Sequence, residues 1–197
     1  MEIKNKKYTK SPPSQDTILI FIYCEGKERE PDYFKNFSEL SSKIKLIIKP
    51  ANQDGNNSPN GLWNRAKKEI IDSKIKLEPK DQMWFVIDTD EWGEQIVNLR
   101  QLCKKSKWYV AQSNPCFEVW LYYHFFKEKI DTPGLNWKEY LNKKKPGGFD
   151  SRKHYININN AITNARNNFV DGNIDIGTTE VFYLAEIIYS YVKNKLN

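Results

Sequence analysis

Two short runs constrain the fold of this chain more than anything else in it. Residues 17–22 read TILIFI and residues 83–87 read MWFVI, and neither contains a charge. Each is too short for an ordinary buried helix, and neither alternates apolar with polar. Continuous apolar runs of this length, rich in β-branched and aromatic residues, fit central strands of a parallel sheet covered on both faces. Once such a strand is buried on both sides, the chain must supply helices for each face. It must also return to the same sheet edge before every strand.

The rest of the sequence provides those returns. After the first strand, over residues 18–23, Pro31 sits where a helix can start, and Tyr33, Phe34, Phe37 and Leu40 follow near helical spacing. Residues 44–48 predict a second strand and 62–75 a helix, separated by the polar, turn-rich stretch 52–61. A third strand at 83–87 leads to a helix at 96–103, and a fourth strand starts at 108 and stops at SNP, with Ser113 its last residue. The expectation is an α/β fold with a mainly parallel, Rossmann-like sheet flanked by helices. From Asn114 onward the pattern turns helical. Asn114 reads as an N-cap and Pro115 as the first helical residue, with Phe117, Trp120, Leu121, His124 and Phe125 forming one apolar stripe. Residues 143–148 (KKKPGG) read as a loop, and 156–169 and 179–195 as two more helices. The expected division is a basic tail over 1–16, an α/β domain over 17–130, and a helical extension over 131–197 packed on it.

Charge is informative through its placement. The formal net charge is +6. The first ten residues sum to +3 and residues 138–153 to +4, so the remainder is close to neutral. Two basic patches with acidic clusters between them suit a polyanionic partner that meets a metal; the plain alternative is a basic tail and a solvated lysine loop. Cys24, Cys103 and Cys116 are far apart, without a C-x-x-C, which fits neither a disulfide framework nor a zinc site and suits a reducing cytoplasm. The N-terminal stretch has no apolar signal core, and the longest apolar run is too short to span a bilayer, so no membrane role is expected.

The chemistry concentrates where the first and third strands end. In open α/β sheets, ligands bind at the carboxyl ends of the strands. The first strand leaves through Glu25-Gly26, within YCEGKEREPDYF, and the third through Asp88-Thr89-Asp90. Residues two apart on extended chain point to the same side, so Asp88 and Asp90 can share a ligand. Carboxylates converging at one edge repel one another, and a hard divalent cation, Mg²⁺ or Mn²⁺, removes that cost. Gly26 lets the chain turn sharply behind the glutamate and lets a phosphate approach.

A strand followed by a glutamate-glycine pair, then a later strand followed by D-x-D, resembles the Toprim domain. The fuller spellings EGKEREPDYF, WFVIDTDEW and SNPCFEVWLYYHF resemble the RloB family, Toprim-like proteins of restriction and phage-defence loci, from about residue 17 to 126. The resemblance implies metal-dependent phosphodiester chemistry on DNA or RNA. It assigns acid-base catalysis near the metal to Glu25 and metal binding to Asp88 and Asp90. It also implies a separate ATPase partner; the chain itself has no G-x-x-x-x-G-K-[ST] and is not expected to be a P-loop ATPase. Gly26, Lys27 and Glu30 fall in the matching spelling as supporting residues. Glu118 is a further candidate: as the fourth helical residue after Asn114 it shares a face with Tyr122, away from the apolar stripe, where it binds a second ion or a metal-bound water, or simply favours the helix dipole.

Blander readings stand beside these. Glu25 can be a solvated turn residue, Asp88 and Asp90 helix-capping acids, and Glu28 and Glu30 surface or first-turn acids. His124 reads as a hydrogen-bonded core histidine, Cys24 as packing, and Trp84, Trp92, Trp108 and Trp120 as core. Lys143, Lys144 and Lys145 are a solvated loop unless they border the same cleft as the acids. Rival functions are a D-x-D phosphatase or phosphotransferase, a glycosyltransferase, and a non-catalytic subunit that binds nucleic acid or an ATPase.

Overall fold

The computed structural model describes residues 16–52, 56–89 and 92–196. The basic tail read over 1–16 lies outside them apart from Asp16, as do Asp90 and Glu91. The apolar runs form strands side by side: β1 (Ile18–Cys24) and β3 (Gln82–Asp88) occupy the middle of a five-stranded sheet. Its order is β2-β1-β3-β4-β5, with β2 (Ile44–Lys49) and β4 (Tyr109–Asn114) on either side, and these four strands are parallel. The last strand, β5 (Thr178–Thr179), is antiparallel to β4 and was not apparent in the sequence, where Thr179 reads as the start of a helix.

Strand alternation sorts the core into two layers. Phe21, Tyr23, Met83, Phe85 and Ile87 face α2 (Pro59–Asp72) and α3 (Gly93–Ser106), meeting Leu62, Trp63, Ala66, Ile96 and Leu99. Ile20, Ile22, Cys24, Trp84, Val86 and Ala111 face the other way. There they are covered by α1 (Arg29–Lys35), α4 (Glu118–Tyr122), α7 (Ile158–Asn167) and α8 (Val181–Val192). Two further helices, α5 (Trp137–Lys144) and α6 (Ser151–His154), complete this second layer. The α/β class with a mainly parallel, helix-flanked sheet and a helical C-terminal part is therefore what the chain adopts. Among the described residues, no helix is long and apolar enough to cross a membrane.

Three local expectations are corrected. Asn114 is not a helix cap. It remains in β4, its carbonyl accepts the Gly177 N–H at 2.7 Å and its side chain donates to the Ile174 carbonyl at 2.8 Å, so the arriving C-terminal segment occupies the groups a cap would use. The helix starts instead at Glu118, and its regular part ends at Tyr122. The apolar stripe continues through turns to His124, which is buried as expected. Tyr122 does not lie on an outward face; it is buried against Phe126 and Trp137. Finally, Lys143 and Lys144 form the last turn of α5, which leaves 145–150 as the loop.

His124 ties two of the helices together. Its Nδ1 lies 3.1 Å from the Trp120 carbonyl, which can only accept, so Nδ1 carries the proton and Nε2 accepts from the Tyr33 hydroxyl at 3.0 Å. Burial pushes the imidazole down to about 3, against the opposing pull of the Trp120 carbonyl. An unfolded chain protonates this ring near pH ~6.5. Below that value the unfolded state takes up a proton that the folded state refuses, so stability falls as pH drops from about 6.5 toward the folded value. The slope is at most about 1.4 kcal/mol per pH unit. Urea unfolding followed from about pH 7 to about pH 5 should show this loss, and His124→Gln should flatten it over the same range.

Candidate active site at the carboxyl edge of the sheet

The register of the parallel sheet brings the exits of β1 and β3 together. Cys24 pairs with Val86, and the ladder continues one step further through the Glu25 N–H, which donates to the Val86 carbonyl at 3.1 Å. The next donor, the Asp88 N–H, would meet a β1 carbonyl in a continuing ladder. It meets the Glu25 carboxylate instead: Oε2 accepts it at 3.0 Å. The second oxygen, Oε1, accepts the indole N–H of Trp92 at 2.6 Å. Glu25 is thus no freely solvated turn residue; both its oxygens are held by donors from the exit of β3 and the approach to α3.

Thr89 explains the middle position of the D-T-D spelling. Its N–H donates to the Pro115 carbonyl at 3.0 Å and its hydroxyl to the Ser113 carbonyl at 2.8 Å, while the Gln112 amide donates to that hydroxyl at 2.8 Å. Gln112 in turn joins Arg100, whose guanidinium binds Gln112 Oε1 at 2.7 Å and Glu180 Oε2 at 2.5 Å. The exit of β3 is therefore fastened to β4, to α3 and to the residue preceding α8. Sequence inspection gave no sign of this network, because its members are up to 80 positions apart.

The other acids gather on the α1 side. Glu30 lies in the first turn of α1, as one of its readings has it, but it is buried rather than on the surface and accepts the Gly26 N–H at 3.2 Å. Burial pushes its carboxyl up, the bonds from backbone N–H groups oppose this, and the nearby charges of Glu118 and Glu25 push it further up. Glu118 is the first residue of α4, rather than its fourth, and its carboxylate pairs with Arg29 at 2.8 Å with only 15% of the side chain exposed. Burial, followed by the charges of Glu118 and Asp88, pushes the Cys116 thiol up. Glu25, Glu30, Asp88 and Glu118 thus share one sheet edge. Lys27 lies exposed beside it, and Asp90 is outside the described residues.

Among the described residues, no group of three or more His, Cys, Asp and Glu side chains is placed to hold a single metal ion. Glu25, Glu30 and Glu118 each spend oxygens on donors of the chain. The donor chemistry nonetheless fits a hard cation, because every candidate ligand is a carboxylate and the charges of Glu118 and Glu25 raise the buried Glu30 beside them. Two residues were misread or missed in the sequence. Trp92 is half-buried and holds Glu25 rather than simply filling the core, and Arg29, next to Glu28 and Glu30 in a charged run, proves to be the partner of Glu118.

Gly26 is expected from the sequence to serve a sharp turn, but its φ lies outside the left-handed region and its reason is packing. A Cβ at this position would overlap the buried Glu30 carboxylate. Gly26→Ala should displace that carboxylate from the Gly26 N–H and cost about 1–3 kcal/mol, the usual penalty for a stranded buried polar group, readable as a lower urea midpoint.

A family model described as RloB-like protein matches residues 20–188. No curated protein and no solved structure matches the chain. The matched span begins inside β1, ends inside α8 and takes in Glu25, Asp88 and Glu118, so the chain belongs to the RloB-like protein family.

Proposed function

We propose that this chain is a metal-dependent nuclease that hydrolyses phosphodiester bonds of DNA or RNA in phage defence, together with a separate ATPase. The observation that carries the reading is the Glu25 carboxylate seated on the Asp88 N–H, which sets the glutamate at the exit of β1 beside the first acid of the D-x-D at the carboxyl edge of the sheet. Neither a phosphatase nor a glycosyltransferase reading accounts for that glutamate.

Asp88 and Asp90 would hold Mg²⁺ or Mn²⁺, with Glu25 beside them. A divalent cation supplies, when bound, activation of a water and neutralisation of charge on the phosphate. Glu25, oriented by the Asp88 N–H and the Trp92 indole, moves the proton of the attacking or leaving oxygen. Arg29 holds Glu118 at the same edge, where it would bind a second ion or a metal-bound water, and the Thr89 network ties the β3 exit to β4.

Purified protein incubated with DNA, tRNA or total RNA and Mg²⁺ or Mn²⁺, with and without the product of the neighbouring gene, tests the reading, and a chelator should abolish any cleavage. Glu25→Gln should lower cleavage about a hundredfold or more with the fold intact. Asp88→Asn should weaken Mn²⁺ binding in calorimetry by more than the roughly tenfold typical of losing an outer hydrogen bond. Glu118→Gln should reduce cleavage strongly with little change in melting temperature. No cleavage under any of these conditions would leave a nucleic-acid- or ATPase-binding subunit.

The ATPase is expected to dock on the helical C-terminal part, residues 131–197. Truncation would remove β5 and α8 from the core, so point changes serve better. Ile156 and Val170 are exposed apolar residues there. Co-expression and pull-down with Ile156→Asp and Val170→Asp should show loss of association without loss of folded protein.

A further inference from the structure

A cavity of about 220 Å³ opens beside the acidic edge, between α1 and the segment joining α5 to α6. Its floor is apolar and aromatic, made by Tyr33, Leu121 and Phe149. Arg29 and Asp32 from α1 and Ser151 from α6 supply a polar rim, with Glu28 at the entrance. The cavity and the acidic edge share a residue, because the Arg29 that lines the one also binds the Glu118 of the other. Sites for drug-sized molecules run to roughly 300–1,000 Å³, so this one takes something smaller, such as a single flat ring system with a hydrogen-bonding edge.

The segment that closes the cavity is also strongly basic. Phe149 and Ser151 lie within 143–153, KKKPGGFDSRK. Lys143 and Lys144 are exposed, and the side chains of Arg152 and Lys153 are 82% and 76% exposed. Asp150 pairs with Arg152 and Lys153 and offsets only part of this charge. The segment is also shaped by its sequence. Gly147 and Gly148 take φ of 85° and 67°, Lys145 lies over the Phe125 ring, and the Asp150 side chain accepts the Arg152 N–H. Phe149 packs on Tyr33 and His124, which docks the segment against α1. Phe149 and Ser151 of this segment line the cavity that Arg29 shares with the acidic edge.

We propose that residues 143–153 and the cavity they close against α1 form the docking wall for a single-stranded nucleic acid. Its phosphates lie along Lys143, Lys144, Arg152 and Lys153, and one unpaired base enters the cavity. The proposal rests on the nuclease reading of the acidic edge and extends it to the form of the substrate. An aromatic floor accepts the face of a base, and carboxylate and hydroxyl groups at the rim accept from its amino edge. In a duplex the base is stacked and paired and cannot reach such a floor. The cations supply affinity that does not depend on sequence.

The test uses the full chain carrying Glu25→Gln, with binding of a fluorescein-labelled single-stranded RNA, its DNA counterpart and the corresponding duplexes followed by anisotropy over a range of salt. Single strands should bind more tightly than duplexes. The combined change Lys143→Gln, Lys144→Gln and Arg152→Gln should lower the slope of log affinity against log salt by about 2 for single strands. Ser151→Trp, which fills the cavity, should remove the preference for single strands and leave that slope unchanged. Wild-type affinity and slope in the triple variant, or an undiminished single-strand preference in Ser151→Trp, would overturn the proposal, even for a protein that cleaves. Variant effects as expected in a chain that cleaves nothing would uphold the wall and overturn the nuclease reading.

Discussion

The bond from the Asp88 N–H to the Glu25 carboxylate exists because β1 and β3 are parallel neighbours whose pairing ends at Cys24 and Val86, one residue before Glu25 and two before Asp88. A parallel pair is evenly slanted, so a single side chain at the exit of one strand can stand in for the next carbonyl and take the donor from the other. Everything else at the site is arranged around this substitution. Trp92 closes on the second oxygen, Thr89 ties the turn to β4, and Gly26 leaves the space that a buried Glu30 fills.

A cluster of acids at one edge is costly unless something compensates, and here the compensation is local and specific. Glu118 has Arg29, Glu30 has the Gly26 N–H, and Glu25 has two N–H donors. Charge-assisted bonds of this kind orient a carboxylate while leaving lone pairs available. The same edge adjoins a cavity on its α1 side through Arg29, and Phe149 and Ser151 of the basic segment line that cavity.

Much of the central fold was legible in the sequence because burial on both faces leaves an unambiguous trace. The runs around Phe21 and Phe85 admit few other structures, and the carboxylates at their exits follow from strand polarity. What escaped was set by partners distant in sequence. Asn114 has the composition of a cap, but its groups are claimed by Gly177 and by the Ile174 carbonyl, and no local rule shows that. Glu30 precedes a proline in a charged run and reads as exposed, yet α1 turns it inward beneath Gly26. Trp92 has the look of a core residue, and only its neighbour across the sheet edge reveals that its indole N–H has a particular acceptor.

The antiparallel strand β5 has a consequence in time. It covers the outer edge of β4 with residues 178–179, and Glu180 immediately behind it completes the bonds to Arg100 and Gln112. A chain emerging from the ribosome can pair β1, β2, β3 and β4 long before those residues exist, and until they arrive the rim of β4 is an open template for other strands. Closing it requires contact across more than sixty residues, the kind of non-local step that comes late and slowly. The lateral rim of β4 is therefore closed late, and until Glu180 arrives the tie from Gln112 to Thr89 behind the β3 exit lacks its outer anchor.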